Sequence, residues 1–146
     1  MVIVDANVLL YAVDSASAHH DESRSWLDAS LAGAEAVGLA WIAVLAFIRV
    51  GTNPSIFPTP MTADEATGQA EAWLAAPAAV IAQPTARHAG LLRGLLRDTG
   101  TAGNLTADAH LAALAIEHGA GIVSYDRDFA RFPGVRHRLP GHPGLM

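Results

Sequence analysis

Apolar residues fall along this chain in two rhythms. Short unbroken runs occur at Val2-Ile3-Val4, Ala36 to Ala40, Ala79 to Ala82 and Gly121-Ile122-Val123. Runs without polar alternation suit strands buried on both faces of a parallel sheet. Between them, apolar positions recur at helical spacing. The spacing predicts helices from Asn7 to about Val13, from His19 to about Leu31, from Trp41 to Val50, from Thr62 to Leu74, from Ala86 to Arg97 and from Leu105 to Gly119. Asn7 reads as the N-cap of the first helix. Thr62-Ala63-Asp64-Glu65 reads as a capping box, and Pro77 closes the helix that follows it. Arg127 to Pro133 forms a turn and short helix, Val135 to Leu139 an edge strand, and residues 140–146 a C-terminal tail. Strands alternating with helices predict an α/β fold, a three-layer α/β/α sandwich around a mostly parallel central sheet. We expect one domain over residues 1–146.

Composition narrows this. A chain of 146 residues with 51% hydrophobic and 16% charged content can build a sizeable core. It has no cysteine, which excludes disulfides and thiolate metal sites. A cytoplasmic setting is therefore expected. The first apolar run has no positive leader and stops at Asp5, unlike a signal peptide. The longest uncharged apolar stretch, Gly38 to Ile48, is 11 residues, short of a membrane span. Net charge is −5, so any grip on nucleic acid must be local and metal-assisted rather than a bulk electrostatic effect. All nine basic residues are arginines. Without lysine there is no P-loop. Phosphoaspartyl receivers and haloacid-dehalogenase-type phosphotransferases, which also open on a strand ending in aspartate, lose their partner lysine too.

The remaining chemistry lies in the acids. Val2-Ile3-Val4 runs directly into Asp5, and Gly121 to Tyr125 runs into Asp126. Two strands of one parallel sheet would deliver both carboxylates to the same edge, where open α/β sheets keep their ligand crevices. Asp108 falls in the first turn of the alanine-rich helix and Asp128 two residues beyond Asp126. Like charges gathered this way repel, and a hard divalent cation removes the repulsion. Oxygen-only ligation suits Mg²⁺ or Mn²⁺, and such ions activate water against phosphodiesters. Other candidates are weaker. His19-His20-Asp21-Glu22 invites a metal reading, but adjacent helical residues do not face one another, and acids in a first turn complement the helix dipole. His110 and His118 could serve as bases, with exposed or capping roles the simpler expectation. Arg87, Arg93 and Arg97 read as a solvated helix face, the alternative being a patch for RNA phosphates.

Three segments carry a resemblance: Val4 to Ala12, Asn104 to Ala115, and Ile122 to Phe129, with Phe47-Ile48-Arg49-Val50 and Thr52-Asn53-Pro54 matching more loosely. In this order, over nearly the whole chain, they resemble PIN-domain ribonucleases, specifically the VapC toxins of bacterial toxin–antitoxin pairs. The resemblance implies that Asp5, Asp108 and Asp126 are the catalytic, metal-binding acids, Asp128 an auxiliary metal ligand, and Asn7 a supporting polar residue. It implies Mg²⁺-dependent endonucleolytic hydrolysis of RNA, often a tRNA or rRNA loop. It further implies a homodimer restrained by a VapB-type antitoxin. One departure stands out. Many PIN domains carry a glutamate where Ala46 aligns, and no acid occurs between Glu35 and Asp64. Either Asp128 supplies the missing charge, or a second metal binds weakly, or activity is reduced. A catalytically weak PIN-like module that mainly binds antitoxin or RNA is thus the alternative. A phosphatase is disfavoured by the missing lysine.

Overall fold

A computed structural model of the chain describes residues 1–100 and 102–141. Five strands form one sheet: β1 Val2–Val4, β2 Val37–Leu39, β3 Ala79–Ile81, β4 Gly121–Val123 and β5 His137–Arg138. Their order is β3-β2-β1-β4-β5, and every pair is parallel. The sheet is thus wholly parallel, where the sequence predicts a mostly parallel one. The tail expected over residues 140–146 falls largely outside the described residues.

The helices are α1 Ala6–Val13, α2 His20–Leu31, α3 Trp41–Gly51, α4 Ala63–Leu74, α5 His88–Arg97 and α6 Thr106–Glu117. Period-two alternation sorts the strand residues between two cores. Val2, Val4, Val37, Leu39 and Val123 pack with α1 to α4, where Phe47 meets Trp73 edge-on at 4.8 Å. Ile3 and Ile122 point the other way, into a core with Leu95, Phe129, Phe132 and the alanines of α6. Both faces are covered at β1, β2 and β4. At the sheet edge β3 is not buried as its unbroken apolar run suggests, and Val80 and Ile81 stay exposed because, among the described residues, no strand lies beyond them. Gly38 is crowded by the neighbouring strand, since a Cβ there would stand 3.0 Å from Ile3 Cγ1 and 3.3 Å from Val2 O.

Chain direction decides where the two halves meet. From β1 the chain proceeds outward to β2 and β3, then crosses back to β4 and β5 on the other side. β1 and β4 flank the reversal, so the crevice outside their carboxyl ends is the expected ligand position. α6 leads into β4 through only residues 118–120. Its last turn therefore lies at the amino edge of the sheet and its first turn, about 18 Å away along the axis, at the carboxyl edge. Among the described residues no helix is long and apolar enough to cross a membrane.

Candidate active site

β1 ends where Asp5 N–H donates to Val123 O at 3.0 Å. Asp5 is itself the N-cap of α1: its backbone is extended and its Oδ1 accepts from Ala6 N at 2.7 Å. This corrects the expectation that Asn7 caps the helix. Both residues are good caps, but the ladder with β4 stops at Asp5, so the cap falls two residues earlier and Asn7 lies inside the helix.

Asn7 is turned instead into a polar network at the ends of β1 and β4. Its Nδ2 donates to Ser124 Oγ at 3.1 Å and, at 3.4 Å, to Asp5 Oδ2; its Oδ1 accepts from Tyr125 N at 3.2 Å. Ser124 is the hub. Fully buried, it donates to Asp5 Oδ2 at 2.7 Å and accepts from Asp126 N at 2.9 Å and from Asn7. One donor and two acceptor positions exhaust a hydroxyl. Sequence reasoning missed Ser124. The available signal was a polar residue closing an otherwise apolar strand, immediately before the acid.

Asp126 caps the 3₁₀ helix Arg127–Arg131, its Oδ1 accepting from Asp128 N at 2.9 Å. Asp128 is exposed, with Arg131 Nη2 at 3.7 Å from its carboxylate. Asp108 projects from the first turn of α6, half-buried. The alanines behind it, Ala109, Ala112, Ala113 and Ala115, have no exposed surface and let the helix lie close on the sheet.

Electrostatics ties these acids together. Burial pushes the Asp108 carboxyl up to about 6, and Asp5, Asp126 and Asp128 each push in the same direction, against Arg131. Burial also raises Asp5, with Asp126 adding to it; hydrogen bonds from Ser124 and Ala6 and the nearby His137 oppose the rise. The four carboxylates thus lie near enough to repel one another through space. Among the described residues no three acid or imidazole groups already converge as an ion-holding cluster. Coulombic coupling reaches further than ligation, so the two observations are compatible. The donor set fits a hard divalent cation. It is all carboxylate oxygen, and its mutual repulsion is a cost that such an ion removes.

The other sequence candidates lie elsewhere. His110 Nδ1 faces His88 Nε2 at 2.9 Å, and His88 Nδ1 is bonded to Glu117, which also accepts from Thr85 N. His110 therefore belongs to a clip between α5 and α6. His118 Nε2 bonds to Gln83 O at 2.7 Å. His20 Nδ1 bonds to Tyr11 O at 2.9 Å, and His19 stacks on Tyr125, so the His19–Glu22 cluster is no metal site. Arg87, just before α5, and Arg93 and Arg97 on it are exposed. α3 brings no acid, and Ala46 is half-buried in its second turn.

Comparison with known proteins agrees with the fold. Residues 2–135 match the family model described as PIN domain. The chain is 56% identical over 146 residues, covering all of both proteins, to Ribonuclease VapC37 of Mycobacterium tuberculosis. It is 40% identical over 140 residues to Ribonuclease VapC31 of the same species, covering 96% of this chain and 99% of the relative. Its fold is similar to a chain in the crystal structure of VapBC2 from Rickettsia felis bound to a DNA fragment from their promoter. The TM-score is 0.69 at 21% identity, over 95% of this chain and 98% of the other.

Proposed function

The chain belongs to the PIN-domain family, and from that premise we propose that it is a divalent-metal-dependent endoribonuclease, the toxin of a VapBC-type toxin–antitoxin pair. The observation that carries the reading is the coupling of Asp5, Asp108, Asp126 and Asp128 at the carboxyl ends of β1 and β4. Its partners are RNA as substrate, a VapB-type antitoxin, and a second copy of itself in a homodimer. Its compartment is the cytoplasm. In this reading residues 1–146 form a single PIN-like domain.

In this reading Asp5, Asp108 and Asp126 hold Mg²⁺, with Mn²⁺ as substitute and Asp128 as the auxiliary acid. Bound there, the ion offsets charge on the phosphodiester and lowers the pKa of a water for attack. The chain contributes order. Both Asp5 oxygens are fixed, Oδ1 by Ala6 N–H and Oδ2 by the Ser124 hydroxyl. Asn7 ties the same hydroxyl to the Tyr125 backbone. Groups held this way need little rearrangement as charge develops. Asp128, exposed beside Arg131, is the auxiliary acid of the set.

The second reading, a weakly catalytic module that binds antitoxin or RNA, is favoured by one observation: α3 carries Ala46 and no acid. One experiment separates the two. Protein freed of its partner is incubated with RNA and Mg²⁺ or Mn²⁺, beside Asp5→Asn and Asp126→Asn. The nuclease reading expects cleavage by the wild type only, with the variants folded by circular dichroism. Absence of wild-type cleavage sinks it, and hydrolysis of a simple phosphomonoester would point to a phosphatase instead.

A further inference from the structure

Beside the carboxylates stands a group of three rings that the metal chemistry does not use. Tyr125 lies between Ser124 and Asp126, with its backbone N–H held by Asn7. Its ring points the other way, toward α2, where the hydroxyl meets Ser23 Oγ at 2.9 Å and donates to Glu22 Oε1 at 2.8 Å. The ring is thereby locked at both ends. His19 lies nearly flat on it, centroids 4.2 Å apart with 28° between planes. Tyr11 closes the group, its centroid 5.4 Å from Tyr125 and 5.3 Å from His19.

His19 is the outermost of the three and is exposed. Tyr125 covers one imidazole face, and the three centroid distances put Tyr11 at the ring's edge on that same side, so neither tyrosine covers the opposite face. Neither ring nitrogen has a partner among the described residues, unlike His20, whose Nδ1 is bonded to Tyr11 O. An aromatic surface held in place beforehand loses little freedom when another flat group settles on it. Every nucleobase offers such a flat face, and unpaired RNA bases are recognised largely by stacking on aromatic side chains. Tyr11 is six residues beyond Asp5, about 9 Å along the helix axis. A base on this stack would belong to a nucleotide neighbouring the bond at the carboxylates, not to the reacting phosphate itself.

We propose that the Tyr11–Tyr125–His19 stack is a nucleobase subsite, taking one unpaired base of single-stranded RNA on the free face of His19. The inference rests on the nuclease reading for its substrate class, and its test does not depend on turnover. Short single-stranded RNAs carrying 2-aminopurine at successive positions are titrated with the protein, with Ca²⁺ present to screen the carboxylates. The wild type is expected to bind and to quench the fluorophore at one or two positions. His19→Ala is expected to lose that quenching and bind about tenfold more weakly, as removal of one base–aromatic contact does. His19→Trp is expected to keep both. An RNA abasic at the quenched position should bind wild type and His19→Ala alike.

The inference is overturned if His19→Ala binds and quenches like the wild type, or if the wild type binds without quenching or does not bind. It is also overturned if His19→Ala weakens binding of a protein partner and leaves RNA untouched, which would make the stack a protein contact. Cleavage distinguishes this failure from that of the nuclease reading. Wild type that quenches but never cleaves leaves the subsite standing and removes the nuclease. Wild type that cleaves while His19→Ala is unchanged does the reverse.

Discussion

The buried Ser124 hydroxyl donates a 2.7 Å hydrogen bond to Asp5 Oδ2 across 119 positions of sequence. Through it the ends of β1 and β4 act as one unit, since the same oxygen accepts from Asn7 and from Asp126 N. Ser124→Ala removes the donor to Asp5 and the acceptor shared by Asp126 N and Asn7 Nδ2, leaving Asn7 Nδ2 only its 3.4 Å bond to Asp5 Oδ2. The expected cost is about 1–3 kcal/mol in unfolding free energy, the usual desolvation penalty for unmade buried hydrogen bonds. Metal affinity should fall about 10- to 100-fold, as when groups orienting a ligand are lost. Chemical denaturation and Mn²⁺ titration calorimetry check the two effects separately.

Asp108 sets a pH dependence. Its folded pKa is about 6 against the ordinary 3.8, so ionising it costs more in the folded chain than in the unfolded one. The penalty is absent below about pH 4, grows between 4 and 6, and is complete above 6. Half-exposed and screened, the group should contribute roughly 1 kcal/mol rather than the value of the full shift. In chelator, Asp108→Asn should therefore be more stable than the wild type at pH 7, with the difference vanishing at pH 4. The variant comparison is needed because His110 works in the opposite sense. Burial and His88 lower its pKa, so its contribution is lost as pH falls below about 6.5. Thermal melts across this range, read as wild type minus variant, give the sign. Mg²⁺ or Mn²⁺ at pH 7 should raise the wild-type Tm and leave Asp108→Asn nearly unmoved.

Asp128 is the test of what stands in for the acid missing from α3. If it supplies that charge, Asp128→Asn should reduce RNA cleavage about 100-fold or more, approaching the effect of Asp126→Asn, because groups acting as one unit are not additive. It should also lower the Asp108 pKa, since Asp128 is among the charges raising it. A loss of twofold or less would make Asp128 a surface partner of Arg131 and nothing more. Initial rates with saturating Mn²⁺ decide between these outcomes.

Gly38 offers a prediction for the scaffold alone. A methyl group there meets Ile3 Cγ1 at 3.0 Å and the Val2 carbonyl at 3.3 Å, and the backbone oxygen cannot step aside. Gly38→Ala should destabilise by about 1–3 kcal/mol, the range for overpacking a filled core. Residual cleavage by the folded fraction should be unchanged. Denaturant midpoints and activity per folded molecule measure each part.

The sequence by itself determined the elements and offered the candidate acids. Unbroken apolar runs at Val2 to Val4 and Gly121 to Val123 are enough to mark buried strands, because burial on both faces leaves no polar position. Each run stops at, or shortly before, an aspartate, and the pattern of Asp5, Asp108, Asp126 and Asp128 could be read without coordinates. Capping is local as well, so Thr62 and Glu65 were recognised as a box, and both hydrogen bonds are present. What only the tertiary structure decided depends on pairing between distant segments. Asn7 and Asp5 are equally good caps by type; the Asp5 N–H bond to Val123 fixes which one begins the helix. Ser124 looks like one more strand residue until β4 lies beside β1 and its hydroxyl meets Asp5. His110 looks like a candidate base until α5 brings His88 to it. In each case side-chain chemistry is legible from the chain, but the partner is chosen by strand order and helix packing, which no local pattern encodes.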